Sequence, residues 1–311
     1  MKNYKYNKTT ITEFRLSGFS NFRRMGHYLF VVILVIYIVT ITTNVFIIII
    51  VKIEKRLHKP MYFFIGGLSF IEIWYPSVTV PRLLWSLILN KLSISPAGCI
   101  IQFYFHFSFG VAENFLLAIM AVDRYVAICK PLRYTLIMNP ATCMKLLVGS
   151  WFLGFSIVFV PCLQLSNLWF CSKTEIDHYY CDFDPLIRLS CSDTSSVQMS
   201  FFVFACFIIF GCFLVISLSY IFILQTIMAF STSSSRSKAF STCASHLIVV
   251  TLFYGTTIFM FIRPNHSDLL HLNKIISIIP SIVTPLLNPI IYTLRNQEVK
   301  NAVKKIVQNL S

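Results

Sequence analysis

The 311-residue chain is too apolar to fold as an ordinary water-soluble globule. It is 56% hydrophobic and only 12% charged, whereas soluble domains carry about 25% charged residues. Its net charge of +14, from 26 basic and 12 acidic residues, would suggest a nucleic-acid partner in a soluble protein. Here the basic residues fall in the short loops between apolar segments, so we expect a membrane protein that binds no nucleic acid.

Apolar stretches long enough to cross a bilayer recur seven times. A crossing helix needs about 20 mainly apolar residues, and such stretches lie at 27–51, 60–84, 97–122, 142–165, 197–228, 239–262 and 271–293. The predicted fold is an all-α membrane protein, a seven-transmembrane helix bundle with a short amphipathic C-terminal helix. We expect a tail at 1–26, the seven-helix bundle at 27–293 and a second tail at 294–311. The polar N-terminus does not have the pattern of a removable signal peptide.

Two features predict which side of the membrane each terminus occupies. Loop charges favour an outside N-terminus, although the N-terminal tail is itself basic. Cys171, Cys181 and Cys191 share one loop on the same face as Cys99, and disulfides need an oxidising compartment. Asn7 begins an Asn-Lys-Thr sequon, which is glycosylated only on the lumenal face but can also arise by chance. We predict an extracellular N-terminus and a cytoplasmic C-terminus. The four outer cysteines can pair in three alternative ways, and the spacing does not choose among them.

Polar residues interrupt the first three spans. Asn44 lies in the first, Glu72 in the second and Glu113 in the third, and such side chains face the interior of a helix bundle. Asn44 is expected to join neighbouring helices. Glu72 and Glu113 could share a proton, water or a cation such as sodium, or each could be neutral and hydrogen-bonded.

The third span ends in charged residues. Asp123, Arg124 and Tyr125 follow a long apolar run, and charges beside a bilayer are costly unless they are paired or functional. In the last span, Pro289 removes a helix hydrogen bond beside the amide of Asn288. Both places are candidate functional sites.

Two cytoplasmic segments have distinctive composition. The serine-rich stretch that begins at residue 231 is expected to be a solvated linker. In the C-terminal tail, apolar residues recur at helical spacing between lysines, which predicts an amphipathic helix on the lipid of the inner leaflet. Its apolar residues are Val299, Ala302, Val303, Ile306, Val307 and Leu310.

Several motifs occur together in a fixed order. They are LHKPMYFF at 57–64, MAVDRYVAICKPLRY at 120–134, Trp151, Ser219-Tyr220, KAFSTCASHL at 238–247 and PLLNPIIYTLRN at 285–296. With these motifs the chain resembles the vertebrate olfactory (odorant) receptors, within the rhodopsin-like (class A) G-protein-coupled receptors. It departs from that family at Val122, where tyrosine is usual, at Glu72, where aspartate is usual, and at Thr43, where glycine is usual.

The resemblance implies a function and a set of residues. It implies an odorant receptor of the plasma membrane that activates a stimulatory, olfactory-type heterotrimeric G protein and raises cAMP, with no cofactor and no metal. It also implies the disulfides Cys99–Cys181 and Cys171–Cys191, with Asp123 holding Arg124 at rest. The implied activation residues are Asp123, Arg124, Tyr125, Tyr220, His246, Asn288, Pro289 and Tyr292.

Aligning the spans on these motifs implies a ligand cavity in the outer half of the bundle. The implied lining is His106, Phe107, Gly110, Val111, Phe204, Ile208, Tyr254, Thr257, Phe261 and Ser281. Each aromatic residue taken singly could instead be ordinary helix packing. Because this set contains no carboxylate, we expect a small, neutral, largely apolar volatile.

Three other classes of protein fit the sequence less well. A receptor for an amine or peptide would usually need a carboxylate in the cavity, where this chain has His106. A transporter or channel could use the buried Glu72 and Glu113, but such proteins often contain internal repeats, and none is visible. An enzyme is disfavoured because the sequence has no metal-binding cluster, nucleophile elbow or phosphate loop.

Overall fold

The protein is a bundle of membrane-spanning helices. The computed structural model describes residues 11–18, 25–89, 93–171, 174–262, 274–295 and 297–310. Within these ranges, seven helices are long and apolar enough to cross a membrane. The predicted seven-transmembrane fold is therefore confirmed.

The helices begin and end close to the predicted spans. The first six spans lie in α1 (Gly26–Ile53), α2 (Pro60–Leu89), α3 (Pro96–Cys129), α5 (Pro140–Ser166), α7 (Ser195–Met228) and α8 (Ser233–Ile262). The seventh runs from Lys274 to Thr293 through a π-helical turn, Ile279–Val283, into α9 (Thr284–Arg295). Short helices α4 (Tyr134–Ile137) and α6 (Phe183–Ile187) lie in loops, and α10 (Gln297–Leu310) ends the described chain.

Helix starts follow local sequence signals. Pro60, Pro96 and Pro140 each occupy the first position of a helix, where the missing N–H costs nothing. The Ser95 hydroxyl accepts a hydrogen bond from the Gly98 N–H at 3.1 Å, and Asn139 caps α5 in the same way. These caps satisfy backbone donors that the first turn leaves free.

The serine-rich segment after α7 is helical, so the predicted linker is wrong from Ser233 onward. Thr232 accepts the Ser235 N–H at 3.2 Å, which caps the start of α8. No proline or glycine follows until Gly255, and nothing in the sequence therefore stops the helix. Its first residues are exposed, which is why they are polar.

Helix α3 lies at the centre of the bundle. Leu116, Leu117, Met120 and Ala121 are fully buried in the main hydrophobic core. Helix α5 approaches α3 very closely at Gly154, where an added Cβ would lie 2.8 Å from the Ser108 carbonyl oxygen. A small residue is required there, as is common where membrane helices pack backbone to backbone.

A small sheet that the sequence did not predict covers one end of the bundle. Strand β1 (Phe14–Leu16) pairs antiparallel with β2 (Ser93–Ile94) and parallel with β3 (Glu175–Ile176). Phe14, Ile94 and Ile176 pack on the Cys99–Cys181 disulfide. We call this the disulfide end of the bundle, and the opposite end, at Asp123-Arg124, the Arg124 end.

The C-terminal helix α10 packs against the bundle. Val299 and Ala302 are buried in the main core. Lys59 forms an ion pair with Glu298 at 2.6 Å, and Lys305 forms one with Glu54 at 3.0 Å. Part of the predicted apolar face therefore contacts protein, while the side chains of Ile306, Val307 and Leu310 lie outside the described residues.

Candidate functional site

A cavity of about 710 Å³ opens among α3, α5, α7, α8 and the seventh span, in the half of the bundle nearer the disulfide end. Its volume lies within the range of small-molecule sites. Of the ten predicted residues, seven line it: His106, Phe107, Gly110, Val111, Phe204, Ile208 and Thr257. The four on α3 share one helix face, because residues three and four apart are neighbours on a helix.

Three predicted residues are not part of the lining that the structure describes. The ring of Tyr254 packs between helices, 5.5 Å from the ring of Phe213, and the adjacent Phe253 lines the cavity instead. Ser281 donates to the Ser277 carbonyl oxygen at 2.5 Å and lies 2.7 Å from the Tyr179 hydroxyl. The side chain of Phe261 lies outside the described residues.

The expectation that the lining has no carboxylate is wrong. Asp182 and Asp184, in and beside the short helix α6, both line the cavity. Cys181 precedes Asp182 directly, and its disulfide with Cys99 holds the loop over the start of α3. The alignment of spans missed these residues because they lie in a loop, although adjacency to Cys181 could have indicated Asp182.

Burial affects the titration of both loop carboxyls. It raises the pKa of Asp182 to about 7, and the neighbouring charge of Asp184 raises it further. Burial also raises the pKa of Asp184, against the attraction of Arg188. Asp182 accepts one hydrogen bond, from the Phe183 backbone N–H at 2.9 Å.

His106 is held between two tyrosine rings. Its imidazole stacks on Tyr75 with centroids 4.7 Å apart and lies 4.4 Å from the ring of Tyr180. Its Nε2 is 3.5 Å from the Tyr75 hydroxyl. Among the described atoms, its Nδ1 has no hydrogen-bond partner although the residue is only 3% exposed. The imidazole therefore presents a fixed, unsatisfied nitrogen beside the cavity.

Two disulfides and an ion pair organise the loops over the cavity. Cys99 is bonded to Cys181 and Cys171 to Cys191, the pairs that the resemblance implies. Lys274 pairs with Asp177 and donates to the Gly18 carbonyl oxygen at 2.6 Å. The N-terminal tail, the long loop and the seventh span are thereby joined. The sequon at Asn7 lies outside the described residues.

The intramembrane polar residues lie deeper in the bundle. Asn44 donates to the Pro285 carbonyl oxygen at 3.0 Å and so joins α1 to α9. The Asn288 amide, next to Pro289, donates to Glu72. Both carboxyl oxygens of Glu113 are buried without a partner among the described atoms. The structure therefore joins Glu72 to Asn288, and it describes no hydrogen bond between Glu72 and Glu113.

Asp123 binds two side chains at the Arg124 end. The Arg124 guanidinium donates to its carboxylate at 2.6 Å and 3.2 Å. The Tyr134 hydroxyl, from α4, donates to the other oxygen at 2.8 Å. Tyr125 lies on the neighbouring side of α3, with its ring 5.8 Å from that of Phe222. Arg124 is thus held by a buried carboxylate on its own helix.

His246 links three helices. Its Nδ1 lies 2.7 Å from the Tyr220 hydroxyl of α7, and its Nε2 lies 3.1 Å from the Leu117 carbonyl oxygen of α3. The Tyr292 hydroxyl is buried nearby in the same core and has no partner within the described part of the chain. Any outward movement of this part of α8 must break both bonds of His246.

Comparison with known proteins identifies the family. A family model described as olfactory receptor matches residues 33–309. The human protein named olfactory receptor 11L1 is 46% identical over 97% of this chain and 94% of its own length. Human olfactory receptor 6B1 is 48% identical over 96% of both chains, and rat olfactory receptor 287 is 45% identical over 97% of both. Together with the seven-helix bundle and its cavity, these matches show that the chain is a multi-pass membrane receptor, not an enzyme, and belongs to the olfactory receptor family.

Proposed function

We propose that this receptor binds a small, mostly apolar volatile in the cavity and activates a stimulatory heterotrimeric G protein, which raises cAMP. One observation carries the proposal: α3 runs without a break from the cavity to the Arg124 end. Its residues His106, Phe107, Gly110 and Val111 line the cavity, and Arg124 follows on the same helix. A ligand that shifts or rotates α3 therefore acts directly on the predicted coupling residue.

The disulfide end faces the outside of the plasma membrane in this proposal. The two disulfides support this orientation, since they form and persist in an oxidising compartment. The Arg124 end and α10 then lie in the cytosol, where a G protein and the lipid of the inner leaflet are available. The basic residues of the loops at that end agree with the positive-inside rule.

Activation is a shift between two conformations of the bundle. In the resting conformation Asp123 holds Arg124, and His246 joins α8 to α7 and α3. In the active one, the cytosolic end of α8 moves outward, and Arg124, Tyr220 and Tyr292 rearrange to contact the G protein. A ligand favours this conformation only by binding it more tightly than the resting one.

A cavity-filling substitution tests where the ligand binds. Val111→Trp places an indole inside the cavity and is expected to abolish the cAMP response to every active volatile. Val148→Trp, on a surface of α5 that is 58% exposed, is the matched control and is expected to keep the response. Both are compared at equal surface level. A full response from Val111→Trp would place the ligand elsewhere.

A further inference from the structure

The polar groups of the cavity are mainly hydrogen-bond acceptors. Three lining hydroxyls already donate their protons within the protein: Ser195 to Asp193 at 2.7 Å, Thr257 to the Phe253 carbonyl at 2.8 Å and Ser277 to the Lys274 carbonyl at 2.9 Å. A hydroxyl whose proton is used in this way offers only lone pairs to a ligand.

Asn114 adds another acceptor at the deeper end of the lining. Its amide nitrogen donates to the Gly110 carbonyl at 2.9 Å. Its amide oxygen is buried without a partner among the atoms that the structure describes. A buried acceptor without a donor is costly, and a donor on the ligand removes that cost once a side-chain movement opens this enclosed oxygen to the cavity.

Asp182 is the strongest acceptor of the set. A carboxylate has about four lone-pair positions, and the Phe183 N–H occupies one of those on Asp182. Within the described ranges, neither Asp182 nor Asp184 has a cation at salt-bridge distance. Lys274, a buried cation of this end, is paired with Asp177. The carboxylate of Asp182 is therefore available to a ligand.

His106 lines the same cavity and carries a second unsatisfied polar atom. Its unpartnered Nδ1 is buried. The residue lies about 10 Å along α3 from Cys99, since a helix rises about 1.5 Å per residue. An imidazole nitrogen can accept or donate, so it is compatible with an alcohol or an amine. The opposite wall, from Phe201 to Ile208 on α7, is apolar.

We infer that Asp182 accepts a hydrogen bond from the ligand, so that this receptor selects volatile alcohols and amines over molecules of the same shape whose polar group can only accept. The inference rests on the proposed function, because it names the ligand class of that same cavity. The Tyr75 and Tyr180 phenols and the Gln198 amide are lining donors that oppose it, and the acceptors outnumber them. An aldehyde or an ether would bring no donor to the remaining acceptor positions of Asp182.

A matched series of ligands tests the inference. Alcohols, primary amines, aldehydes and methyl ethers with the same carbon skeletons are applied to the full chain in cells with a cAMP reporter. The alcohol or amine of each set is expected to be about ten-fold more potent than its acceptor-only counterpart. Acceptor-only members of equal or greater potency would overturn the inference.

Variants of the loop assign the preference to Asp182. Asp182→Asn replaces an acceptor oxygen by a donor and is expected to remove the preference. Asp182→Glu keeps a carboxylate and should retain it, as should Glu175→Gln, which changes an exposed carboxylate of the same loop. An unchanged preference in Asp182→Asn would overturn the assignment. If no Asp182 variant reaches the surface, the ranking of the unmodified receptor decides.

The same data separate the two levels of the proposal. Responses to aldehydes or ethers alone would preserve the receptor function and overturn the selection for donors. No response to any class, with the chain present at the cell surface, would contradict both.

Discussion

At the scale of one residue, the proposed ligand contact of Asp182 should depend on pH. Burial raises its carboxyl pKa to about 7, so the charged form is present above pH 7 and is lost as the pH falls. Aliphatic amines, with pKa values of about 10, stay cationic throughout this range. Potency for an amine should therefore increase up to about ten-fold between pH 6 and pH 8, measured as cAMP dose–response curves at controlled extracellular pH.

The groups around Asp182 do not reverse the expected direction of the pH dependence. Asp184, whose pKa burial also raises, and the cation Arg188 lie on the same short helix. Tyr75, Tyr180 and His106 face the cavity from the other elements. An alcohol of the same skeleton is the control, since it keeps a hydrogen bond to either form of the carboxyl. An amine potency that stays flat or falls between pH 6 and pH 8 would show that Asp182 does not pair with it.

Sequence predicts cavity residues on regular helices better than those in irregular turns or loops. Four residues on α3 follow regular helical spacing, and all four line the cavity as expected: His106, Phe107, Gly110 and Val111. Ser281 lies in the π-helical turn Ile279–Val283, where a period of 3.6 residues no longer describes which side chains share a face. The position of Asp182 at the cavity depends on the disulfide between Cys99 and Cys181. A local sequence pattern does not show such a long-range contact.

At the scale of one element, α8 is held by His246. His246→Phe removes the bonds to Tyr220 and to the Leu117 carbonyl while keeping an aromatic ring of similar size. In the proposed activation these bonds hold α8 in the resting conformation, so their loss should raise ligand-free cAMP several-fold per surface receptor. Thr251→Ala, at an exposed position on α8, should leave it unchanged. Lower basal cAMP in His246→Phe would contradict this role.

The contact between α3 and α5 depends on Gly154. A Cβ there would approach the Ser108 carbonyl oxygen to 2.8 Å and the Ala112 nitrogen to 2.9 Å, and such overpacking costs about 1–3 kcal/mol. Gly154→Ala should lower both surface level and thermal stability in detergent. Gly149 lies on the same helix, and a Cβ added there meets nothing within 4 Å. Gly149→Ala is therefore the matched control. Equal stability of the two variants would mean that the helices can separate without cost.

Sequence predicts long elements better than short ones. Each membrane helix provides a stretch of about 20 mainly apolar residues, and hydrophobicity over that length gives its position to within a few residues. The strands β1, β2 and β3 contain two or three residues each, too few for an alternating pattern. They pair where the Cys99–Cys181 disulfide and the ion pair of Lys274 hold distant segments together.

At the scale of the whole molecule, the two functional ends share a single central helix. The cavity, with its acceptors from α6 and the seventh span, lies beside the first half of α3, and the Asp123–Arg124 pair lies near its end. Two disulfides cross-link the loops at the disulfide end, whereas hydrogen bonds such as those of His246 and surface ion pairs restrain the Arg124 end. We therefore expect ligand binding to change the conformation mainly at the Arg124 end.

A cAMP measurement on the intact receptor and its Arg124→Ala variant tests this account most directly. Cells that display each protein at equal surface level are exposed to a broad panel of small volatiles. The account predicts that at least one volatile raises cAMP through the unmodified receptor and that Arg124→Ala removes the response. Silence of the unmodified receptor across the panel, or a full response from Arg124→Ala, would contradict it.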